Sequence, residues 1–271
     1  MLPPNCLRRH TMYRLLLVLL LLNFSADAWC IQRIVLLSPA AGDIIHKLTA
    51  EDLVVGVTRN VEGFASATQV GSHIRPNVEI IRSLDPDLLI ISSNHFFSKE
   101  MADAVDTEVF YYNPHTLDEI VQQIGRLAAR LGKRAEAEVL IARQWQKLEH
   151  LKSIEHCPKL VFEVTAVPLL VAGQRHIVSD IIKQAGGELI APARRKLVRY
   201  NIEAILASQP DIYIYQVGPM NKNPQPPGKR DCFSRLAARF LRVDELQFSR
   251  ANTNSFDNVV KLNNYFSGEQ F

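Results

Sequence analysis

The chain has 271 residues, 47% of them hydrophobic and 22% charged, with a formal net charge of +3 at pH 7. That length and apolar content sustain one large core or two modest ones and exclude a disordered or fibrous chain. The near-even charge balance excludes a nucleic-acid partner, which needs a clear excess of lysine and arginine to neutralise phosphates. The local clusters Arg194-Arg195-Lys196 and Lys229-Arg230 read as solvated loop faces.

At the start, Arg8, Arg9 and Arg14 precede the apolar run Leu15 to Leu22, and Ala26-Asp27-Ala28 follows with small-x-small spacing. This pattern predicts a signal peptide over 1–28, cleaved near Ala28, and hence a periplasmic protein; a start at Met12 keeps Arg14, the apolar run and the cleavage site. The run is far shorter than the roughly 20 apolar residues of a membrane span. Trp29 is too bulky beside Cys30 for a lipidation signal. Cleavage removes three of the 31 basic and one of the 28 acidic residues, so the mature chain is close to neutral. It keeps Cys30, Cys157 and Cys232, an odd set without C-x-x-C spacing, which gives no zinc knuckle. An oxidising compartment allows one disulfide, and Cys157 with Cys232 is the favoured pair because both lie in the second half.

A first lobe, 29–131, opens with a strand at Ile34 to Leu37, broken at Ser38-Pro39. Next come a helical pattern at Asp43 to Leu48, a strand at Leu53 to Val57, a strand at Leu88 to Ile91, a helix near Ser98 to Val105 and a strand at Val109 to Tyr112. Strands alternating with helices predict a parallel sheet covered by helices. Thr116 then opens a long helix, with Glu119 completing a capping box and Leu117, Ile120, Ile124, Leu127 and Leu131 forming its apolar stripe. Gly132 breaks or kinks that pattern. It resumes from Lys133 to Leu151 as a helix about 28 Å long, and 132–153 reads as a linker between lobes. The second lobe, 154–271, shows a strand at Lys159 to Val164, a break at Pro168, a helix at Ile177 to Ala185 ended by Gly186-Gly187, and a Pro-rich loop from Pro219 to Pro227.

One block is written twice. Glu79-Ile80-Ile81-Arg82-Ser83-Leu84-Asp85-Pro86-Asp87 runs into Leu88-Leu89-Ile90-Ile91, and Glu203-Ala204-Ile205-Leu206-Ala207-Ser208-Gln209-Pro210-Asp211 runs into Ile212-Tyr213-Ile214-Tyr215. Each copy predicts a short helix with an acidic first turn, stopped before proline, then a buried strand. The fold class is therefore α/β, with two similar parallel-sheet lobes, flanking helices and one long linker helix.

Ligands of open parallel sheets bind beyond the carboxyl ends of the strands. The loops there supply the candidate contacts Ser38, Pro39, Arg59, Ser72, His73, His95 and Phe96 from the first lobe. The second supplies Val167, Arg175, His176, Tyr200 and Gln216. These loops mix aromatic faces with arginines and histidines and contain no acidic residue. They suit a large, partly planar, anionic or metal-containing ligand better than a bare cation, which would want carboxylates beside the histidines. His73, His95 and His176 read either as hydrogen-bonded loop residues or as ligands to a metal already held in a chelate. The sequence has no G-x-S-x-G elbow, no H-E-x-x-H and no phosphate-cradling loop, so no catalytic residue and no cofactor of its own are assigned.

Arg33-Ile34-Val35-Leu36-Leu37-Ser38-Pro39, Val54-Val55-Gly56-Val57, Val70-Gly71 leading to Pro76-Asn77-Val78-Glu79, and Leu84-Asp85-Pro86-Asp87-Leu88 form an ordered series. It continues through the helical linker, Ala185-Gly186-Gly187, and Ile202-Glu203 to Pro210-Asp211. Over about Arg33 to Gly218 the chain resembles the periplasmic substrate-binding proteins of ABC importers for cobalamin, ferric siderophores and heme. The resemblance implies a rigid clamp that holds its ligand between the lobes and delivers it to a membrane permease. It also implies that Glu79 and Glu203 pair with permease arginines. Heme-binding relatives often place a tyrosine or histidine in the cleft loops, for which His73, His95, His176 and Tyr200 are candidates. The polar stretch Ser249 to Asn254 departs from the family's longer terminal helix. Two other readings stay open: a zinc or manganese binding protein using His73, His95 and His176, and a chelatase-like enzyme, against which export argues.

Overall fold

The computed structural model describes residues 31–190 and 193–271. The expected signal peptide and Cys30 lie outside the described residues. In chain order the elements of the first half are β1 (Ile34–Leu36), α1 (Ala41–Lys47), β2 (Val54–Val57), β3 (Thr68–Gln69), β4 (Gly71–Ser72), β5 (Arg75–Pro76), α2 (Val78–Ser83), β6 (Leu88–Ile91), α3 (Lys99–Val105), β7 (Glu108–Tyr111), α4 (Leu117–Leu131) and α5 (Arg134–Leu148). The second half has β8 (Lys159–Thr165), β9 (Leu170–Ala172), α6 (Ile177–Gln184), β10 (Glu188–Leu189), β11 (Leu197–Arg199), α7 (Ile202–Ser208), β12 (Ile212–Val217), β13 (Arg239–Asp244), α8 (Glu245–Phe248) and α9 (Asn254–Phe266).

Two sheets result. The first runs β3-β2-β1-β6-β7 and is parallel throughout. Its strands are apolar runs rather than alternating patterns because helices cover both faces; Leu88–Ile91 is buried along its whole length. The second runs β11-β9-β8-β12-β13, with β10 paired to β8. Its β8-β12-β13 core is parallel, as expected, while β9 and β11 pair antiparallel at the edge. The turn at Thr165 to Leu169 sends the chain straight back along β8, leaving no crossover helix there.

The duplicated block does the same mechanical job in both lobes. Asn77 and Asn201 cap α2 and α7, their side-chain oxygens accepting the N–H groups of Ile80 (3.0 Å) and Ala204 (2.7 Å). The asparagines move each helix start upstream of the glutamates, which sit at its second position. Asp85 and Gln209 then turn left-handed, at φ 45° and 41°. The Pro-Asp aspartates reach back to the first strand of their own lobe: Asp87 Oδ2 accepts the Arg33 N–H at 2.9 Å, and Asp211 Oδ2 accepts the Lys159 N–H at 2.7 Å.

Helix α4 buries the expected stripe, Leu117, Ile120, Ile124, Leu127 and Leu131, each worth roughly 1.5–3 kcal/mol of transfer free energy. Gly132 ends it at φ 67°. The linker is shorter than its sequence pattern: α5 has 15 residues, about 22 Å, and residues 149–158 continue without regular structure. It packs on α4 on one side and on α9 on the other, with Trp145 edge-on to Phe256 at 5.4 Å. One continuous core joins the hinge-side faces of both sheets through these helices, and smaller cores lie on the outer faces beneath α2 and α7. The polar stretch before α9 does not displace that helix, which buries Phe256, Val259 and Leu262. Cys157 and Cys232 are not bonded to each other, contrary to the disulfide expected: one precedes β8, the other lies in the crossover after β12.

Candidate functional site

Because the β1, β2, β6 and β7 strands point one way, their carboxyl ends deliver the loops 38–40, 58–59, 92–97 and 112–116 to one side. The second sheet delivers 166–169, 218–226 and the start of α8. Between the two sets the lobes are tied by polar contacts. Tyr112 donates its hydroxyl to the Ala251 carbonyl at 2.9 Å, and the Leu117 N–H, orphaned at the start of α4, donates to Asp180 Oδ2 at 2.8 Å. Thr253 donates its N–H and hydroxyl to Asp43 Oδ2, at 3.1 and 2.7 Å, and Arg250 donates to the Asn60 carbonyl at 2.6 Å. The segment 250–253, which the sequence marks only as polar, is thus the strap from the second lobe to the first.

Beside these ties the cleft is basic and aromatic. His73 sits at the tip of the β4–β5 hairpin, whose Gly71 has φ 100° and leaves only 2.6 Å between a built Cβ and the Arg75 carbonyl, so a side chain there is excluded. Burial lowers the pKa of the half-buried His73, and Arg250 and Lys196 of the other lobe lower it further. Phe96 stands edge-on to His73 and His95, with ring centroids 6.0 and 5.0 Å away. From the second lobe Arg175 comes within 3.1 Å of His115 Nε2. Burial and then the Arg175 charge lower the pKa of His115, and its buried Nδ1 has no partner among the described residues. Two of the nearby carboxylates are already engaged, while Glu62 is exposed beside Arg250. Glu119 accepts the His115 N–H at 2.7 Å and Glu245 accepts the Met220 N–H at 2.7 Å. Such a surface favours an anionic ligand with a flat apolar body.

Of the residues expected from sequence, His73, Phe96 and Arg175 stand on loops at the cleft, with His95 and Arg59 exposed at its rim, whereas the half-buried Tyr200 packs against the outer-face core beneath α7. Val167, 92% exposed beside the cis Val167–Pro168 bond, is at the rim of the second lobe. Ser72 accepts the Arg75 N–H at 3.2 Å and shapes the hairpin. Pro39 lines a cavity of about 350 Å³ next to Asp43 and Arg250. Three side chains are committed to the fold. Ser38 is buried and donates to the Tyr112 carbonyl at 3.3 Å. Gln216 is buried, donating to the Val164 carbonyl at 3.0 Å and accepting from Ser249. His176 is 3% exposed and caps α6, its Nδ1 accepting the Val178 N–H at 3.3 Å; burial takes its pKa to about 3. Among the described residues no three His, Cys, Asp or Glu side chains come together to hold a metal ion, so the zinc or manganese reading gains nothing. His115, Lys196 and Arg250 were not singled out by sequence. Lys196 was legible only as part of a solvated basic cluster, and Arg250 only as part of a polar departure. Glu79 and Glu203 are exposed on the outer helices α2 and α7.

A family model described as periplasmic binding protein matches residues 34–225, most of both lobes. The chain belongs to the periplasmic binding protein family. No curated protein sequence matches this periplasmic binding protein. Among solved structures, IsdE of Staphylococcus aureus, complexed with heme, is 20% identical, with a TM-score of 0.75 over 86% of this chain and 98% of that one. The vitamin B12 binding protein BtuF of Vibrio cholerae is 20% identical, with a TM-score of 0.73 over 88% and 97%. The heme-binding protein HutB of Vibrio cholerae is 19% identical, with a TM-score of 0.74 over 86% and 98%. At these identities they establish the two-lobed fold. Among the described residues of this periplasmic binding protein no helix is long and apolar enough to cross a membrane.

Proposed function

We propose that this chain is the exported component of an ABC importer that binds a chelated metal compound between its lobes and hands it to the membrane permease. The compound belongs to the cobalamin, ferric siderophore or heme class. The observation that carries the reading is the pairing of an aromatic, histidine-bearing wall on the first lobe with Arg175, Lys196 and Arg250 on the second. Phe96 offers a face to a planar body, and the cations meet its carboxylates or other anionic groups. His73, whose pKa burial and two cations lower, offers a ring nitrogen to a metal already in its chelate. Ser38, Gln216 and His176 serve by fixing the walls. A carrier role accords with membership of the periplasmic binding protein family.

The two exposed glutamates occupy equivalent places on α2 and α7, next to the cleft mouth but outside it. An isolated surface carboxylate contributes little. A pair at matched points of two lobes gives a permease two anchors. The expected outcome of Glu79→Ala with Glu203→Ala is unchanged ligand affinity and abolished uptake; reduced affinity with normal uptake would overturn the docking role. The absorbance spectrum of protein isolated from the periplasm tests the ligand class, because heme and corrinoids absorb in the visible range.

A further inference from the structure

Arg230 spends its charge on the fully buried Glu163, with one contact at 2.9 Å, and Arg130 spends its own on Glu108 at 2.5 Å. Arg175 is held differently. Among the described residues it has no carboxylate partner, and its guanidinium instead meets His115 Nε2 of the other lobe at 3.1 Å. Arginine has only donors, so in this contact Nε2 is the acceptor, in the form of the ring that carries no charge. Burial, then the Arg175 charge, favours that form, with help from Lys196 and against Glu119 and the Arg175 backbone. A neutral acceptor orients a guanidinium without cancelling its charge. Both ends of the contact are fixed through the backbone. His115 stands just before the Thr116 cap of α4, and Glu119 Oε2 accepts its N–H at 2.7 Å. In the second lobe Gly173, Gln174 and Arg175 donate their N–H groups to the carbonyls of Lys196, Ala193 and Arg195, at 3.0, 3.0 and 3.2 Å. A built Cβ on Gly173 would lie 2.1 Å from the Arg195 carbonyl, so this close approach requires glycine.

We infer that His115 is a positioning residue, which holds the exposed Arg175 guanidinium at the cleft with its charge uncancelled, for a carboxylate of the bound ligand, and so selects chelates that carry carboxylates. His115 takes one N–H of the guanidinium and leaves the others to the ligand, whose carboxylate gains a charge-assisted pair that no internal carboxylate contests. The inference rests on the cleft reading under Proposed function and narrows it, from any chelated metal compound to one bearing carboxylates.

Hemin and its dimethyl ester share one planar body and one iron and differ only in whether the carboxylates are capped. Titrated against the mature protein, hemin binds about tenfold or more tightly than the ester. That preference disappears in Arg175→Ala and in His115→Leu. His115→Gln, which keeps a neutral acceptor at nearly the reach of Nε2, restores it, whereas His115→Glu, of the same size but charged, does not. A side chain that merely braced the two lobes would distinguish neither hemin from its ester nor glutamine from glutamate. Equal affinity for hemin and ester in the unaltered protein, a preference that survives His115→Leu or His115→Glu, or a His115→Gln that behaves like His115→Leu overturns the inference. Binding of cyanocobalamin or a ferric siderophore without binding of hemin overturns it too, and all these results leave the carrier function standing. If hemin, cyanocobalamin and ferric siderophores all fail to bind, the proposed function itself fails and the selection falls with it.

Discussion

Replacing His176 by asparagine separates a fold residue from a ligand residue. The imidazole is 3% exposed, its Nδ1 caps α6, and its ring lies 6.0 Å from that of Phe162. Burial, then the charges of Lys196 and His115, bring its pKa to about 3, against roughly 6.5 in the unfolded chain. The folded value is the lower one, so between those limits the unfolded chain binds the extra proton. The stability contributed is complete above pH 6.5 and is lost as pH falls. At about 1.4 kcal/mol per unit, going from pH 7 to pH 5 removes roughly 2 kcal/mol, and the full window roughly 5 kcal/mol. Asparagine keeps a capping acceptor but does not titrate. Asp180 and Glu245, whose pKa values burial raises, act in the opposite sense but are common to both proteins. Urea denaturation at pH 7 and pH 5 should therefore show the unaltered protein losing about 2 kcal/mol more than His176→Asn. Equal losses would refute a buried, neutral His176, and a loss of ligand affinity in the variant would return it to the cleft.

Three further outcomes follow from the same geometry. Asp87→Ala and Asp211→Ala each leave a first-strand N–H without its carboxylate, costing roughly 1–3 kcal/mol by denaturant titration. Arg230→Met leaves the Glu163 carboxylate, fully buried, without its cation; about 3–5 kcal/mol is lost, and adding Glu163→Gln restores most of it. Asp43→Ala removes the acceptor for Thr253, so hydrogen exchange at the Thr253 amide accelerates while amides of β1 and β8 keep their protection.

Apolar runs such as Leu88–Ile91, the stripe of α4 and the duplicated block made the two-lobed α/β fold legible, because fully buried strands and half-buried helices leave distinct periodicities. The antiparallel β9 and β11 were not legible, since a short return at Thr165 to Leu169 looks the same in sequence as a loop leading to a helix. The roles of Asn77 and Asn201 were overshadowed by the glutamates two residues on. Loop position drew in His73, Phe96 and Arg175, which the fold leaves facing the other lobe, together with His176 and Gln216, which it buries, because a strand's carboxyl end holds both kinds of group and no local pattern records burial. Lys196 and Arg250 reach the cleft through tertiary folding of irregular segments, which no local pattern records.

The most direct test of the account is equilibrium titration of purified protein with hemin, cyanocobalamin and ferric siderophores, read by absorbance and intrinsic fluorescence. The account predicts saturable binding of at least one of them, weakened about tenfold or more by Arg175→Ala or His73→Ala and unchanged in Glu79→Ala with Glu203→Ala. Absence of binding to all three classes, or binding indifferent to Arg175 and His73, would contradict it.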